Sequence, residues 1–179
     1  MEIIWQFDNQ VLRAINQSLN SPLLDPIFWL ITSLGLGWVQ ALLVASLFFR
    51  PHLRRTAWAA LIALGFSSII LHIIKGTVHR LRPTNLPDIV VHPPETPMLS
   101  SFPSGHATSS VAIAVTIAML WPGNRRLAGA LLISMATLIA ISRIYRGVHW
   151  PTDVIAGAAL GFASGAIVAL AFDRMVKQR

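Results

Sequence analysis

Residues 127–172 read LAGALLISMATLIAISRIYRGVHWPTDVIAGAALGFASGAIVALAF, two apolar runs, Leu127–Tyr145 and Val154–Phe172, flanking one polar junction. Each run has 19 residues, which at a helical rise of ~1.5 Å fits the ~30 Å hydrocarbon thickness of a bilayer. Three further apolar segments lie upstream, at Ile27–Phe49, Thr56–Ile74 and Gly105–Trp121. The composition agrees with this reading. Of 179 residues, 54% are hydrophobic and 12% charged, with a mean hydropathy of +0.63, whereas soluble domains carry about 25% charge. A water-soluble globule is excluded. The pattern predicts an all-α fold, a single domain over 1–179 built as a polytopic transmembrane helical bundle of five spans.

Residues 1–20 predict a sixth helix of another kind. Ile4, Phe7, Val11, Ile15 and Leu19 recur at three- and four-residue spacing, and Glu2, Asp8, Asn9, Arg13 and Asn16 fall on other faces. This is the pattern of an amphipathic helix lying in the membrane interface. The opening Met1-Glu2-Ile3-Ile4-Trp5 lacks the basic start and cleavage site of a signal peptide, so the chain is expected to be used whole. With no cysteine, disulfides, thiolate metal sites and a cysteine nucleophile are all ruled out.

Charge sets the expected orientation. The net charge is +7. With five spans, Arg50, Arg54, Arg55, Arg125, Arg126, Arg174, Lys177 and Arg179 share one side with a single acid, Asp173. The other side balances Arg13, Lys75, Arg80, Arg82, Arg143 and Arg146 against Glu2, Asp8, Asp25, Asp88, Glu95 and Asp153. The whole excess lies on one side, as the positive-inside rule expects of the cytoplasm. The basicity therefore needs no nucleic-acid partner. The expected location is a bacterial inner membrane, with the C-terminus cytoplasmic and the stretch 76–104 on the outer face. That stretch contains Pro83, Pro87, Pro93, Pro94 and Pro97. The tryptophans Trp5, Trp29, Trp38, Trp58, Trp121 and Trp150 are expected to form an interfacial belt.

Three polar segments converge on the outer face: Lys75 to Pro83, Phe102 to His106, and Ser142 to Asp153. Together they offer cations, a hydroxyl, two histidines and a carboxylate, a set suited to a phosphoryl group, whose transfer is governed by positioning and electrostatics. Lys75 supplies a point charge, and Arg82 and Arg143 supply planar forks. Ser104 and Gly105 stand at a helix start, where backbone amides favour anions. His149 and Asp153 lie at i and i+4, so the carboxylate can hold one ring proton and aim the other nitrogen at phosphorus. His106 is placed to protonate a leaving oxygen. Gly157, Gly161 and Gly165 form a small-residue face suited to close helix packing. His79, Arg80 and Arg146 are candidates for contacts to the substrate headgroup, and His72 is a candidate neighbour of the site. No metal-ligand pattern such as HExxH is present, and the clustered cations oppose a divalent ion, so no metal or cofactor is expected.

The string KxxxxxxRP (Lys75–Pro83), then PSGH (Pro103–His106), then SRxxxxxHxxxD (Ser142–Asp153) resembles the three-part signature of the type-2 phosphatidic acid phosphatase superfamily. These are membrane lipid phosphatases that share their site with vanadium haloperoxidases. The resemblance implies that His149 is the phosphorylated nucleophile, Asp153 its partner and His106 the general acid. Lys75, Arg82, Ser104, Gly105 and Arg143 become phosphate ligands. It also implies a membrane lipid phosphate or diphosphate as substrate, undecaprenyl diphosphate first. Lipid A, phosphatidylglycerol phosphate or phosphatidate, or transfer of phosphate to another lipid, are alternatives. Residues Thr84–Phe102 are expected to select among them. A vanadate-dependent peroxidase and a non-enzymatic lipid-phosphate binder are the readings from other classes.

Overall fold

The computed structural model describes residues 2–93 and 100–177, and these form seven α-helices with short 3₁₀ turns between some of them. The helices are α1 (Glu2–Asn16), α2 (Leu24–Ser33), α3 (Gly37–Ala45), α4 (Arg54–Thr77), α5 (Gly105–Leu120), α6 (Arg125–Tyr145) and α7 (Pro151–Lys177). Met1, Pro94, Glu95, Pro97 and Arg179, named above from the sequence, lie outside the described residues.

The centre of the bundle is α5, buried along most of its length by α4, α6 and α7. Its closest neighbour is α7, and the small-residue face explains why. A β-carbon built on Gly157, Gly161 or Gly165 would stand 2.6, 2.3 or 2.5 Å from the carbonyl oxygen of Ser104, Thr108 or Ala112. The two backbones touch where any side chain would separate them. The outward faces of α4, α6 and α7 present Ile62, Ile69, Leu131, Ile155, Phe162 and Ile167, the apolar surface that a bilayer requires.

Contacts at the helix ends fix the direction of each helix. Thr56 Oγ1 donates to the Leu120 carbonyl at 3.2 Å, and Arg55 Nη2 donates to that of Phe172 at 2.6 Å. The start of α4 and the ends of α5 and α7 therefore share one end of the bundle. At the other end Lys75 Nζ donates to the Ser100 carbonyl at 2.6 Å, and the Ser104 amide to that of Asp153 at 2.9 Å. All three sequence motifs gather there.

The structure corrects the count of helices, which is seven among the described residues. Three continuous helices have the length and hydropathy to cross a membrane, Pro51–Thr77, Arg125–Tyr145 and Pro151–Met175. The expected first span, Ile27–Phe49, is two helices bent by 64°. The break falls at Leu34-Gly35-Leu36, where a β-carbon on Gly35 would stand 2.5 Å from His106 Cδ2 and 2.6 Å from Ile139 Cγ2. The expected third span is α5, 16 residues long, about 24 Å at ~1.5 Å per residue. Sheathed by other helices, it has no need to match the lipid thickness. The described residues form a polytopic bundle of seven helices, one more than expected, with three to four candidate spans by length and composition.

Helix α1 lies across the end of the bundle that carries the motifs. Asp8 contacts Thr152 at the start of α7, and Asn16 Nδ2 donates to the Tyr145 carbonyl at the end of α6 at 2.7 Å. Its docked face mixes polar and apolar groups, with Leu12 fully buried in the core. Asp8, Asn9 and Asn16 are buried against the bundle, while Ile4 and Phe7 are exposed.

Candidate active site

The third motif is built by the way α6 ends. Gly147 adopts φ +70°, a left-handed conformation that glycine reaches without steric cost. The Gly147 amide donates to the Ile144 carbonyl and that of Val148 to the Arg143 carbonyl, at 3.0 and 3.2 Å, the paired bonds of a Schellman stop. The chain is thereby turned sharply, His149 emerges two residues later, and Pro151 opens α7. Pro at a helix start costs no hydrogen bond.

His149 is only 3% exposed. Arg82 Nη1 lies 3.2 Å from its Nε2, and Asp153 Oδ2 lies 3.4 Å from its Nδ1. A guanidinium can only donate, so Nε2 accepts and the ring proton sits on Nδ1, toward the carboxylate. The lone pair of Nε2 thus points at the cation cluster. Burial, reinforced by Arg143 and Arg82 and only partly offset by the hydrogen bond to Asp153, holds the imidazole pKa down to about 4. The ring is neutral at physiological pH.

Asp153 is fully buried and heavily tied down. Its Oδ2 accepts from the Trp150 amide at 2.9 Å and from the Ser101 hydroxyl, and its Oδ1 accepts from Arg80 Nη1 at 2.7 Å. Around His149, Arg82 Nη1 also donates to the Val148 carbonyl at 2.7 Å, and its Nη2 shares the Ser100 carbonyl with Lys75 at 3.3 Å. Arg143 Nη1 donates to Thr32 Oγ1 at the end of α2 at 2.6 Å. Ser104 caps the start of α5. Its hydroxyl is completely buried and has no partner among the described residues, although buried hydroxyls almost always have one. Beside it, the first amides of α5, at Gly105 and His106, have no acceptor within the helix. Two residues beyond Ser104, the His106 ring rests against Gly35 and Ile139.

Lys75, Arg82, Ser104, Gly105, Arg143, His149 and Asp153 therefore stand at one end of the bundle, with His106 on the first turn of α5. The three candidate headgroup residues are placed differently. His79 is exposed. Arg80 turns inward to Asp153 and Asp8, with Trp150 beneath it at 5.5 Å from the ring centroid. Arg146 is 2% exposed, and its Nη2 donates to the carbonyls of His92 and Pro93. His72 is exposed on α4, with Nδ1 2.7 Å from the Ser68 carbonyl. Trp150 is buried, outside the expected belt. Sequence reasoning did not single out Asp8, Thr32, Ser100, Ser101 or Thr152 as site residues; none belongs to a signature position. Among the described residues no three His, Cys, Asp or Glu side chains converge as a metal ion would need.

Below His106 an apolar cleft of about 240 Å³ runs between α3, α5 and α6, lined by Leu43, Val44, Ile113, Leu132 and Ile139 among others. Ile139 lines this cleft and also stands beside Gly35, next to the His106 ring.

A cluster of cations around an oriented imidazole, set at the end of a membrane bundle, fits a membrane phosphatase acting on lipid phosphates. The chain belongs to the PAP2 superfamily, whose sequence pattern matches residues 56–177. It is 36% identical over 167 residues to the decaprenylphosphoryl-5-phosphoribose phosphatase of Mycobacterium tuberculosis, covering 87% of each chain. It is 30% identical to the undecaprenyl-diphosphatase of Sulfolobus acidocaldarius, covering 87% of this chain and 73% of that one. Among solved structures it resembles LpxE of Aquifex aeolicus, with a TM-score of 0.76 and 32% identity over 90% of this chain and 93% of that one.

Proposed function

We propose that the protein removes phosphate from a polyprenyl-linked phosphate or diphosphate by way of a phosphohistidine, without a metal. The observation that carries this reading is the placement of His149, Nε2 against Arg82 and Nδ1 toward Asp153. Nε2 attacks phosphorus in line, and a P–N bond forms as the P–O bond to the leaving group breaks. His106 gives its proton to the departing oxygen. Water then attacks the phosphohistidine, His106 takes the proton back, and the P–N bond breaks to release phosphate. Lys75, Arg82 and Arg143, the Ser104 hydroxyl and the first amides of α5 carry the charge on the equatorial oxygens. The buried, unpartnered Ser104 hydroxyl gains its partner when phosphate binds. The cleft below His106 takes the hydrocarbon next to the headgroup.

The two polyprenyl relatives narrow the substrate class. Undecaprenyl diphosphate remains the lead, and a polyprenylphosphoryl sugar phosphate stands beside it because of the similarity to the mycobacterial enzyme. The site works at the outer face of the inner membrane.

The test is phosphate release by detergent-purified protein with excess chelator, beside a His149→Ala control. The panel is undecaprenyl diphosphate, decaprenylphosphoryl-5-phosphoribose, phosphatidylglycerol phosphate, phosphatidate and lipid A. Chelator-resistant release that disappears in the variant is the expected result, with a polyprenyl lipid preferred. Release that needs metal or survives in His149→Ala overturns the mechanism. Preference for a glycerolipid or lipid A overturns the substrate class.

A further inference from the structure

The charge network behind Asp153 extends to a residue on another helix that no motif contains. Asp8, on α1, is completely buried, and both its oxygens are used. Oδ2 accepts from Arg80 Nη2 at 2.5 Å and from Thr152 Oγ1 at 2.7 Å, and Oδ1 accepts from the Thr152 amide at 2.9 Å. Arg80 Nη1 donates to Thr152 Oγ1 and to Asp153 Oδ1, both at 2.7 Å. One guanidinium is thus clamped between two buried carboxylates, over the Trp150 ring. We propose that Asp8 is a positioning residue for the reaction, holding Arg80, and through it Asp153, in the orientation that aims His149. The proposal rests on the reading of Asp153 as the partner of His149.

The physical reasons are two. A buried carboxylate is costly unless it is paired and hydrogen-bonded, and nothing about docking an interfacial helix requires one at Asp8. What the carboxylate does achieve is to fix the plane of Arg80. With Arg80 committed to Oδ1, the other oxygen of Asp153 is left to Ser101, the Trp150 amide and His149. Arg80 is 29% exposed on its side chain, so once released from Asp8 it has room to swing outward and let Asp153 rotate. Asp8 also caps α7 from outside, since the Thr152 amide belongs to the first turn, where helix geometry supplies no acceptor. That turn carries Asp153. The interfacial helix is in this way a working part of the catalytic end.

The experiment uses the full chain in detergent, labelled with ¹⁵N-histidine, and His149→Ala assigns the His149 resonances. Asp8→Asn is expected to shift the His149 Nδ1 resonance and to leave the other histidines in place. Arg13→Gln removes the exposed ion pair of α1 with Asp88, 2.7 Å long, and is expected to shift nothing at His149. On the lipid that the wild type hydrolyses, Asp8→Asn should lower kcat about tenfold with KM held within about twofold, the signature of a misaligned group. In an Arg80→Gln background it should add less than about a twofold loss, because the two act as one unit. If Asp8→Asn does not fold, Thr152→Val carries the same test, removing the hydroxyl that joins Asp8 to Arg80 while keeping the side-chain shape. An unmoved His149 resonance, an equal shift in Arg13→Gln, or an undiminished loss in the Arg80→Gln background overturns the proposal. The resonance needs no substrate, so it tests the clamp on His149 whether or not the phosphatase reading holds.

Discussion

Ser104 and His149 show how single residues divide stability from chemistry. The Ser104 hydroxyl is buried without a partner among the described residues, a cost in the folded state that its removal relieves. Ser104→Ala is therefore expected to leave folding stability within about 0.5 kcal/mol of the wild type. It should lower turnover by about 10²-fold, the usual effect of deleting one charge-stabilising donor. Thermal unfolding and phosphate release on the same preparation check both halves, and a destabilised but active variant would refute the assignment. His149 gives a pH dependence of defined sign. Its folded pKa is about 4, below the ordinary 6.5. Above pH 6.5 the imidazole is neutral folded or unfolded and adds no slope. As pH falls from about 6.5 toward 4, the unfolded chain takes up a proton that the buried ring refuses, so stability is lost. The unfolding midpoint of His149→Gln should fall less steeply over that window than that of the wild type. The signature segments were legible in the sequence because their internal spacing is local, and the structure brings all three to one end of the bundle. Asp8, Thr32 and Ser101 were not legible, because what identifies them is a partner 72 to 144 residues away for Asp8, 111 for Thr32 and 52 for Ser101. Arg80 and Arg146 were read as headgroup contacts because a cation beside a signature looks the same whether it faces ligand or protein.

At the scale of elements, the alignment of α5 with α7 fixes the distance between Ser104 and His106 on one helix and the His149–Asp153 pair at the head of the other. The glycine face Gly157, Gly161 and Gly165 was legible as packing, and the structure supplies the partner. Gly161→Ala would place a β-carbon 2.3 Å from the Thr108 carbonyl oxygen and 3.0 Å from the Ala112 amide nitrogen, atoms of a helix backbone that cannot step aside. The expected effect is a loss of about 1–3 kcal/mol of stability from overpacking, with a fall in turnover as the two halves of the site part. Gly65→Ala, on α4, meets nothing within 4 Å and should be neutral or stabilising, up to about 1 kcal/mol by helix propensity. Equal tolerance of both changes in thermal unfolding would count against the packing account. The bend between α2 and α3 was not legible, since Leu34-Gly35-Leu36 sits within an apolar run with no proline or charge to mark it. The side chains of His106 and Ile139, which crowd the backbone at Gly35, lie 71 and 104 residues further along the chain. The Schellman turn at Gly147 did leave a signal, a glycine two residues after the last residue of α6.

At the scale of the whole molecule, charge and geometry divide the protein into two ends. The site lies at one; Arg50, Arg54 and Arg55 before and within α4, Arg125 and Arg126 at the start of α6, and Arg174 near the end of α7 lie at the other. A bilayer bounded by anionic lipid and a negative interior favours such an end on the cytoplasmic side, the ground on which phosphate release is proposed to lie outside. On that orientation helix α1 is expected at the outer surface, since Asp8 and Asn16 both bind the site end of the bundle, with Ile4 and Phe7 exposed. The chain contains no cysteine, so single cysteines can report the arrangement against a silent background. Glu2→Cys and His79→Cys, both exposed positions, should react with a membrane-impermeant maleimide in intact cells whose outer barrier has been opened. Arg126→Cys, exposed at the opposite end, should react only after the inner membrane is permeabilised. The reverse pattern for His79 and Arg126 would turn the molecule over and place the site inside. Labelling of His79→Cys from outside with Glu2→Cys protected would instead mean that α1 crosses the membrane, and the clamp of Asp8 on Arg80 could not then form at the outer face.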